Sequence, residues 1–147
     1  MLFKGNIAKD KRTKDLAKRI KPGEIAIIDH KDLDEIAANS LVNSKIKAII
    51  NQCPSISGKY PNKGPSILLD NGIFIIDVDF DLMDRLDEGD LIEIDEDGNI
   101  FKDEEKICNG LIIDKEKVEN LIKFAYENIS EELEKVIDNT IEYTKKK

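Results

Sequence analysis

Residues 24–50 read EIAIIDHKDLDEIAANSLVNSKIKAII, and this stretch decides the fold. Glu24-Ile25-Ala26-Ile27-Ile28-Asp29 is a short apolar run between turn formers, as a strand buried on both faces should be. Asp32 can cap a helix from Leu33 to about Val42, with Glu35 at capping-box spacing and Leu33, Ile36, Ala37 and Leu41 as its apolar stripe. Ile46 to Ile50 makes a second buried strand. Strand, helix, strand in this order is a right-handed parallel crossover, so an α/β domain is expected.

The flanks extend the pattern. Upstream, Asp10 to Arg19 has helical character, with Leu16 and Ile20 one turn apart, and Lys21-Pro22-Gly23 stops it. Downstream, Gly64-Pro65 can open a helix that runs through Ile67, Leu68 and Leu69 to Asn71-Gly72, and Ile73-Phe74-Ile75-Ile76 reads as a third buried strand. The alternation then gives way to strand pairs. Asp90 to Asp95 turns through Glu96-Asp97-Gly98 into Asn99-Ile100-Phe101, and the chain turns again toward Ile107-Cys108. A mixed sheet follows. From Asp114 a helix is expected to the end or nearly so, with an apolar stripe through Val118, Leu121, Ile122, Ala125, Ile129, Leu133, Val136, Ile137 and Ile141; Asn128-Ile129-Ser130 can divide it, with Ser130 as a second cap. About 30 helical residues span about 45 Å, more than a small domain is wide. The stripe therefore meets a partner chain, a further domain or its own second half, or a helical hairpin packs it back on the body.

At 147 residues, 40% hydrophobic and 37% charged, the chain suits one soluble domain with a real core. No stretch has the roughly 20 apolar residues of a membrane span, and Met1-Leu2-Phe3-Lys4-Gly5 lacks a secretion-signal core, so a cytoplasmic protein is expected. Cys53 and Cys108 are too few for a disulfide framework. The net charge of −8 is unevenly spread: the first 22 residues are basic, and Asp77 to Glu105 carries only Arg85 and Lys102 as cations. The leader can contact an anionic ligand or nucleic acid, or lie against the molecule's own acidic face; overall acidity disfavours nucleic acid. Three parts are expected: a basic segment 1–22, a domain 23–110 and a terminal connecting helix 114–147.

The connection Asn51 to Pro65 is far longer than the usual 4 to 6 residues or so. Prolines and glycines shape it, while Asn51, Ser55, Ser57, Tyr60 and Asn62 supply uncharged hydrogen-bonding groups among Gly58 and Gly64. It reads either as a recognition surface for a small anionic ligand or partner, or as an ordered structural loop. Elsewhere, His30 is the one histidine, at a strand end beside Asp29, and serves either a site or a structural hydrogen bond. Arg12, Thr13 and Lys14 can grip an anionic group or a partner's carboxylates. Asp77, Asp79, Asp81 and Glu88 mimic a calcium loop, but Leu82 stands where the sharp turn needs glycine. No Walker loop, zinc cluster or nucleophile elbow occurs, so neither a metal nor a cofactor is expected.

With these residues in hand, the chain resembles the N-terminal region of the SteA-like family, bacterial proteins associated with cell division. The likeness rests on Gly5-Asn6-Ile7-Ala8 with Asp10, Arg12, Thr13 and Lys14, on Pro22 to His30, on Asp32-Leu33-Asp34, and above all on Pro54 to Pro65, with Asn139 to Tyr143 similar to the start of the family's connecting helix. It implies a noncatalytic interaction or regulatory domain, whose full-length relatives continue into a thiamin-pyrophosphokinase-like domain. The alternative it leaves open is an accessory ligand-binding domain of such a transferase. A protein partner and self-association through the terminal helix are expected. A second similarity, to the swivelling β/β/α domain of phosphoenolpyruvate-utilising enzymes, implies the fold; the position of that domain's phosphocarrier histidine falls near Asn62 or Lys63, so phosphotransfer does not carry over.

Overall fold

The structure, a computed structural model, describes residues 3–145; of residues 130, 132 and 134–145 only the helical backbone is described. The apolar runs form four parallel strands, β1 (Phe3–Lys9), β2 (Ile25–Ile28), β3 (Ala48–Asn51) and β4 (Phe74–Asp77), linked by helices α1 (Thr13–Arg19), α2 (Glu35–Val42) and α3 (Gly64–Asp70). After the short α4 (Leu82–Arg85) come β5 (Leu91–Ile94), β6 (Asn99–Lys102) and β7 (Glu105–Asn109), an antiparallel meander, then β8 (Leu111–Ile113) and α5 (Lys115–Lys145). The sheet order is β7-β6-β5-β1-β2-β3-β4-β8. The expected α/β class, the mixed sheet of the swivelling β/β/α type and the long C-terminal helix are therefore the observed fold.

That strand order forces the sheet to roll. Strands β7 and β8 lie at opposite ends of the order, yet Gly110 alone joins them. Seven spacings of about 4.8 Å would put the ends of a flat sheet about 34 Å apart, while two peptide steps reach only about 7 Å. At the crossing the Gly110 N–H donates to the Gly98 carbonyl at 2.8 Å, which extends the β6–β7 ladder by one pair before the chain passes to β8. Both positions need glycine: a Cβ on Gly98 would lie 2.4 Å from the Gly110 oxygen, and one on Gly110 would lie 2.3 Å from Ile76 Cγ2.

Strand β1 is the seam. Its first half, Phe3 to Asn6, pairs antiparallel with β5, and its second, Ile7 to Lys9, pairs parallel with β2. The described part of segment 1–22 therefore belongs to the body rather than preceding it. Two cores result. One, under α1, α2, α3 and the base of α5, holds Leu16, Ala26, Ile28, Leu41, Ile49, Leu68 and Val118; the other, enclosed by α4 and the meander, holds Ile7, Ile27, Ile50, Leu82, Ile92 and Ile100.

Three local expectations are corrected. Asp34, not Asp32, caps α2, its Oδ1 accepting from the Ala37 N–H at 2.7 Å. Asp32, at φ 54°, lies before the cap, and its carboxylate accepts from Ser57 instead. Ile36 is 81% exposed, since α2 turns Ala37, Ala38 and Leu41 inward instead. Helix α5 is unbroken through Asn128-Ile129-Ser130, so no hairpin packs back; at about 1.5 Å per residue its 31 residues span about 46 Å.

Candidate functional site

Every parallel strand delivers polar groups at its carboxyl end: Asp10 to Arg12 after β1, Asp29 and His30 after β2, Asn51 at the end of β3, and Asp77 at the end of β4. The loops that follow β1 and β2 enclose a cleft of about 740 Å³. Lys11, Arg12, Lys14 and Lys18 form one wall and Lys31 stands on the other, with Thr13 and His30 at the floor. The Thr13 hydroxyl is 2.8 Å from His30 Nδ1. Thr13 is 4% exposed, so this bond fixes the ring from below.

The basic leader divides into two sets. Lys4 pairs with Glu93 at 3.5 Å, and Lys9 Nζ donates to the carbonyls of Met83 and Leu86. Arg19 bonds Glu88 at 2.6 Å and the Lys9 carbonyl. These cations tie α1 and β1 to α4, to the turn that follows it and to β5. By contrast, the side chains of Lys11, Arg12, Lys14, Lys18 and Lys31 have no carboxylate partner among the described residues. Of the three carboxylates in the cleft, Asp34 is taken by its cap and Asp29 accepts from Cys53 Sγ at 2.7 Å and Gln52 Nε2 at 3.3 Å, which leaves Asp15 of α1 as the one uncommitted carboxylate among the described residues against the five cations. The walls are therefore positive and ready for an anion.

The Asn51 to Pro65 loop is differently employed. Asn51 and Ser55 are fully buried. Asn51 Oδ1 accepts from the backbone N–H groups of His30 and Cys53 at 3.0 and 3.1 Å, and Nδ2 donates to the His30 carbonyl and Ser55 Oγ at 2.8 and 2.9 Å. The full capacity of an amide is used. Ser55 passes the chain on to Asp77, donating from Oγ at 2.6 Å and from its N–H at 3.0 Å. Ser57 donates to both oxygens of Asp32 at 2.7 and 2.9 Å. Gly64 lets the loop return, because a Cβ there would lie 2.2 Å from the Leu33 carbonyl oxygen. Gly58 is buried against Leu121 and Phe124 of α5. Tyr60 is 62% exposed, and Asn62 has a buried Nδ2 without a protein partner.

Of the residues singled out in sequence, then, Arg12, Thr13, Lys14, Asp29 and His30 converge on one cleft, and Asn51, Ser55 and Ser57 hold the loop that backs it. Tyr60, Asn62 and Gly64 stand apart. Sequence reasoning missed Lys11, Lys18 and Lys31 as wall residues; the spacing of Lys11, Lys14 and Lys18, three and four residues apart, carried the signal for the first two. Three of the four calcium-like carboxylates have other partners: Asp77 bonds Ser55, Asp81 caps α4 and Glu88 pairs with Arg19. Among the described residues no group of three or more His, Cys, Asp or Glu is arranged to hold a metal ion.

Two groups are shifted away from reactivity. The hydrogen bond to Asp29, aided by burial, pushes the Cys53 thiol up to about 11, which keeps it protonated at neutral pH. Burial raises the Asp77 carboxyl above its ordinary value, against the lowering effect of its Ser55 bonds.

No family model and no curated protein matches this chain. Among solved structures, it is similar to a crystal structure of 3-isopropylmalate dehydratase from Methanocaldococcus jannaschii, at 16% identity over 95% of this chain and 99% of that one, with a TM-score of 0.48.

Proposed function

We propose that this chain is a noncatalytic interaction or regulatory domain that recognises an anionic group in the cleft between the loops after β1 and β2. One observation carries this reading: five cations surround the Thr13–His30 pair, and none has a carboxylate partner among the described residues. Charged donors left unpaired beside a concave floor gain most from an incoming phosphate or carboxylate, which Arg12 can bind in bidentate fashion. The noncatalytic part rests on the nucleophile candidates. Cys53 is held as a thiol, Ser55 is buried, and Ser57 is committed to Asp32. The resemblance of the Pro54 to Pro65 motif supplies the proposed setting, a SteA-like cell-division protein. In the rival, an accessory transferase domain, the loop would close on a nucleotide; the inward bonding of Asn51, Ser55 and Ser57 leaves it little polar surface for that. For self-association, the supporting feature is the exposed face of α5, with Tyr126 at 51%, Ile129 at 41% and Leu133 at 58% exposure; sedimentation showing monomer alone at high concentration would remove it.

The cleft is tested by titrating inorganic phosphate, pyrophosphate and an acidic peptide while following the melting temperature. A saturable rise is expected, weakening with salt and lost in the double variant Arg12→Ala, Lys14→Ala. No rise with any of the three, or a rise the double variant retains, would overturn the reading.

A further inference from the structure

A second concavity, of about 680 Å³, lies on the other side of the 51–65 loop, where β4, β8 and the base of α5 meet. Its character is the opposite of the first. Pro54 and Ile56 of the loop, Leu111 of β8 and Leu121 of α5 make its walls apolar, and Leu111 is 54% exposed at the rim. Asp77 stands at its inner end and Asp79 at its mouth. Among the described residues Lys117 is the one cation lining it. Its ammonium donates to the Ile112 carbonyl at 2.9 Å and lies 3.9 Å from Asp114, so it neutralises neither aspartate.

Among the described residues, Ser55 supplies both hydrogen bonds to the Asp77 carboxylate, one to each oxygen. A carboxylate offers about four acceptor positions, so about two remain for a donor arriving from the cavity. A half-buried carboxylate among apolar walls is a poor solvation site for its own charge, and a cation placed against it recovers part of that cost. The volume lies in the range of small-molecule sites, about 300–1,000 Å³, and apolar walls with a few convergent polar groups are their usual composition.

We propose that this cavity binds a small molecule with an apolar body and a cationic head, an alkyl- or arylammonium, with the head against Asp77 and Asp79 and the body between Ile56, Leu111 and Leu121. This site is independent of the anion cleft, from which it differs in wall, charge and ligand. Its occupant touches the 51–65 loop and the base of α5 together. Because the described apolar packing of α5 on the body comes from its first turns, Val118 to Ala125 with Phe124 against Gly58, binding would also slow local opening there.

The test uses three probes of one shape on the full chain: phenethylammonium, phenethyl alcohol and 3-phenylpropionate. Amide chemical-shift changes at Ile56, Val78, Leu111 and Leu121 should appear with the ammonium, which should bind at least about tenfold tighter than either analogue. Asp77→Asn should abolish that preference while the alcohol binds as before. Asp79→Asn, on an exposed residue, should reduce it and decides the matter if the first variant does not fold. Equal or tighter binding of the propionate, a preference unchanged in both variants, or no shift at these amides with any probe would refute the proposal. Phosphate should leave these amides unshifted, so the outcome is separate from that of the anion cleft.

Discussion

Replacing Asn51 should cost more stability than any other single polar change in the body. In Asn51→Ala the backbone N–H groups of His30 and Cys53 and the His30 carbonyl lose their partner, and Ser55 Oγ loses its incoming donor. A buried group left unsatisfied costs about 1–3 kcal/mol. His30 and Cys53 are only half-buried, so water can reach part of the vacancy. The expected loss is therefore about 3–5 kcal/mol, short of the simple sum, and a large share of the about 5–15 kcal/mol that holds a domain together. Asn51→Asp sharpens the point, because it keeps the acceptor for His30 and Cys53 but loses the donor and sets a second carboxylate close to Asp77 across Ser55. It should lose as much at neutral pH and recover as pH falls. Urea unfolding at several pH values measures both, and hydrogen exchange at the His30 and Cys53 amides locates the damage. A loss below about 1 kcal/mol, with those amides as protected as in the parent, would refute the claim that this amide anchors the loop.

Asp77 gives a pH signature of opposite sign to most carboxylates. Its folded value is raised, so the folded chain holds the proton more tightly than the unfolded one; its contribution is full below the unfolded value and is lost as pH rises through the folded one. Asp90 and Asp95, held low by hydrogen bonds to the Asp87 amide and to Asn99, run the other way and lose theirs as pH falls. The stability difference between Asp77→Asn and the parent should therefore move in the variant's favour with rising pH; a pH-independent difference in urea midpoints would contradict this. Cys53 should alkylate slowly. A thiol pushed up to about 11 holds about 100-fold less thiolate than an ordinary one, while its greater basicity raises the thiolate's nucleophilicity, a net rate about tenfold below an ordinary thiol. Asp29→Asn should recover most of that factor, followed by mass spectrometry at Cys53, and an unchanged rate would rule out Asp29 as the cause.

The parallel centre was legible because its strands carry their signal locally: Ile25 to Ile28 and Ala48 to Asn51 are buried at every residue, and an unbroken apolar run needs no partner to be recognised. Strand β1 was not legible. Phe3 to Lys9 buries only Ile7 and Ala8, and Lys4, Gly5 and Asn6 are poor strand formers. It is a strand because Ile92 and Ile25 face it from sites 87 and 18 residues away, through Gly5 and Ile7 respectively. Leu111 to Ile113 hid for the same reason, since a three-residue strand exists only once the roll brings it to β4. The candidate site divides along this line. His30, Asp29 and the Arg12 to Lys14 group were visible as residue types at element ends. Their convergence was not, because it depends on β1 lying beside β2, a pairing that local sequence does not announce. The polar loop misled in a related way: uncharged hydrogen-bonding groups among prolines serve recognition and internal anchoring equally well, and only the count of satisfied donors at Asn51 separates the two. Once that count is complete, the residues free to meet another molecule are the ones with no partner in the body. They are the cations that Glu88 and Glu93 leave unclaimed on one side of the loop, and the carboxylate positions Ser55 leaves open on the other.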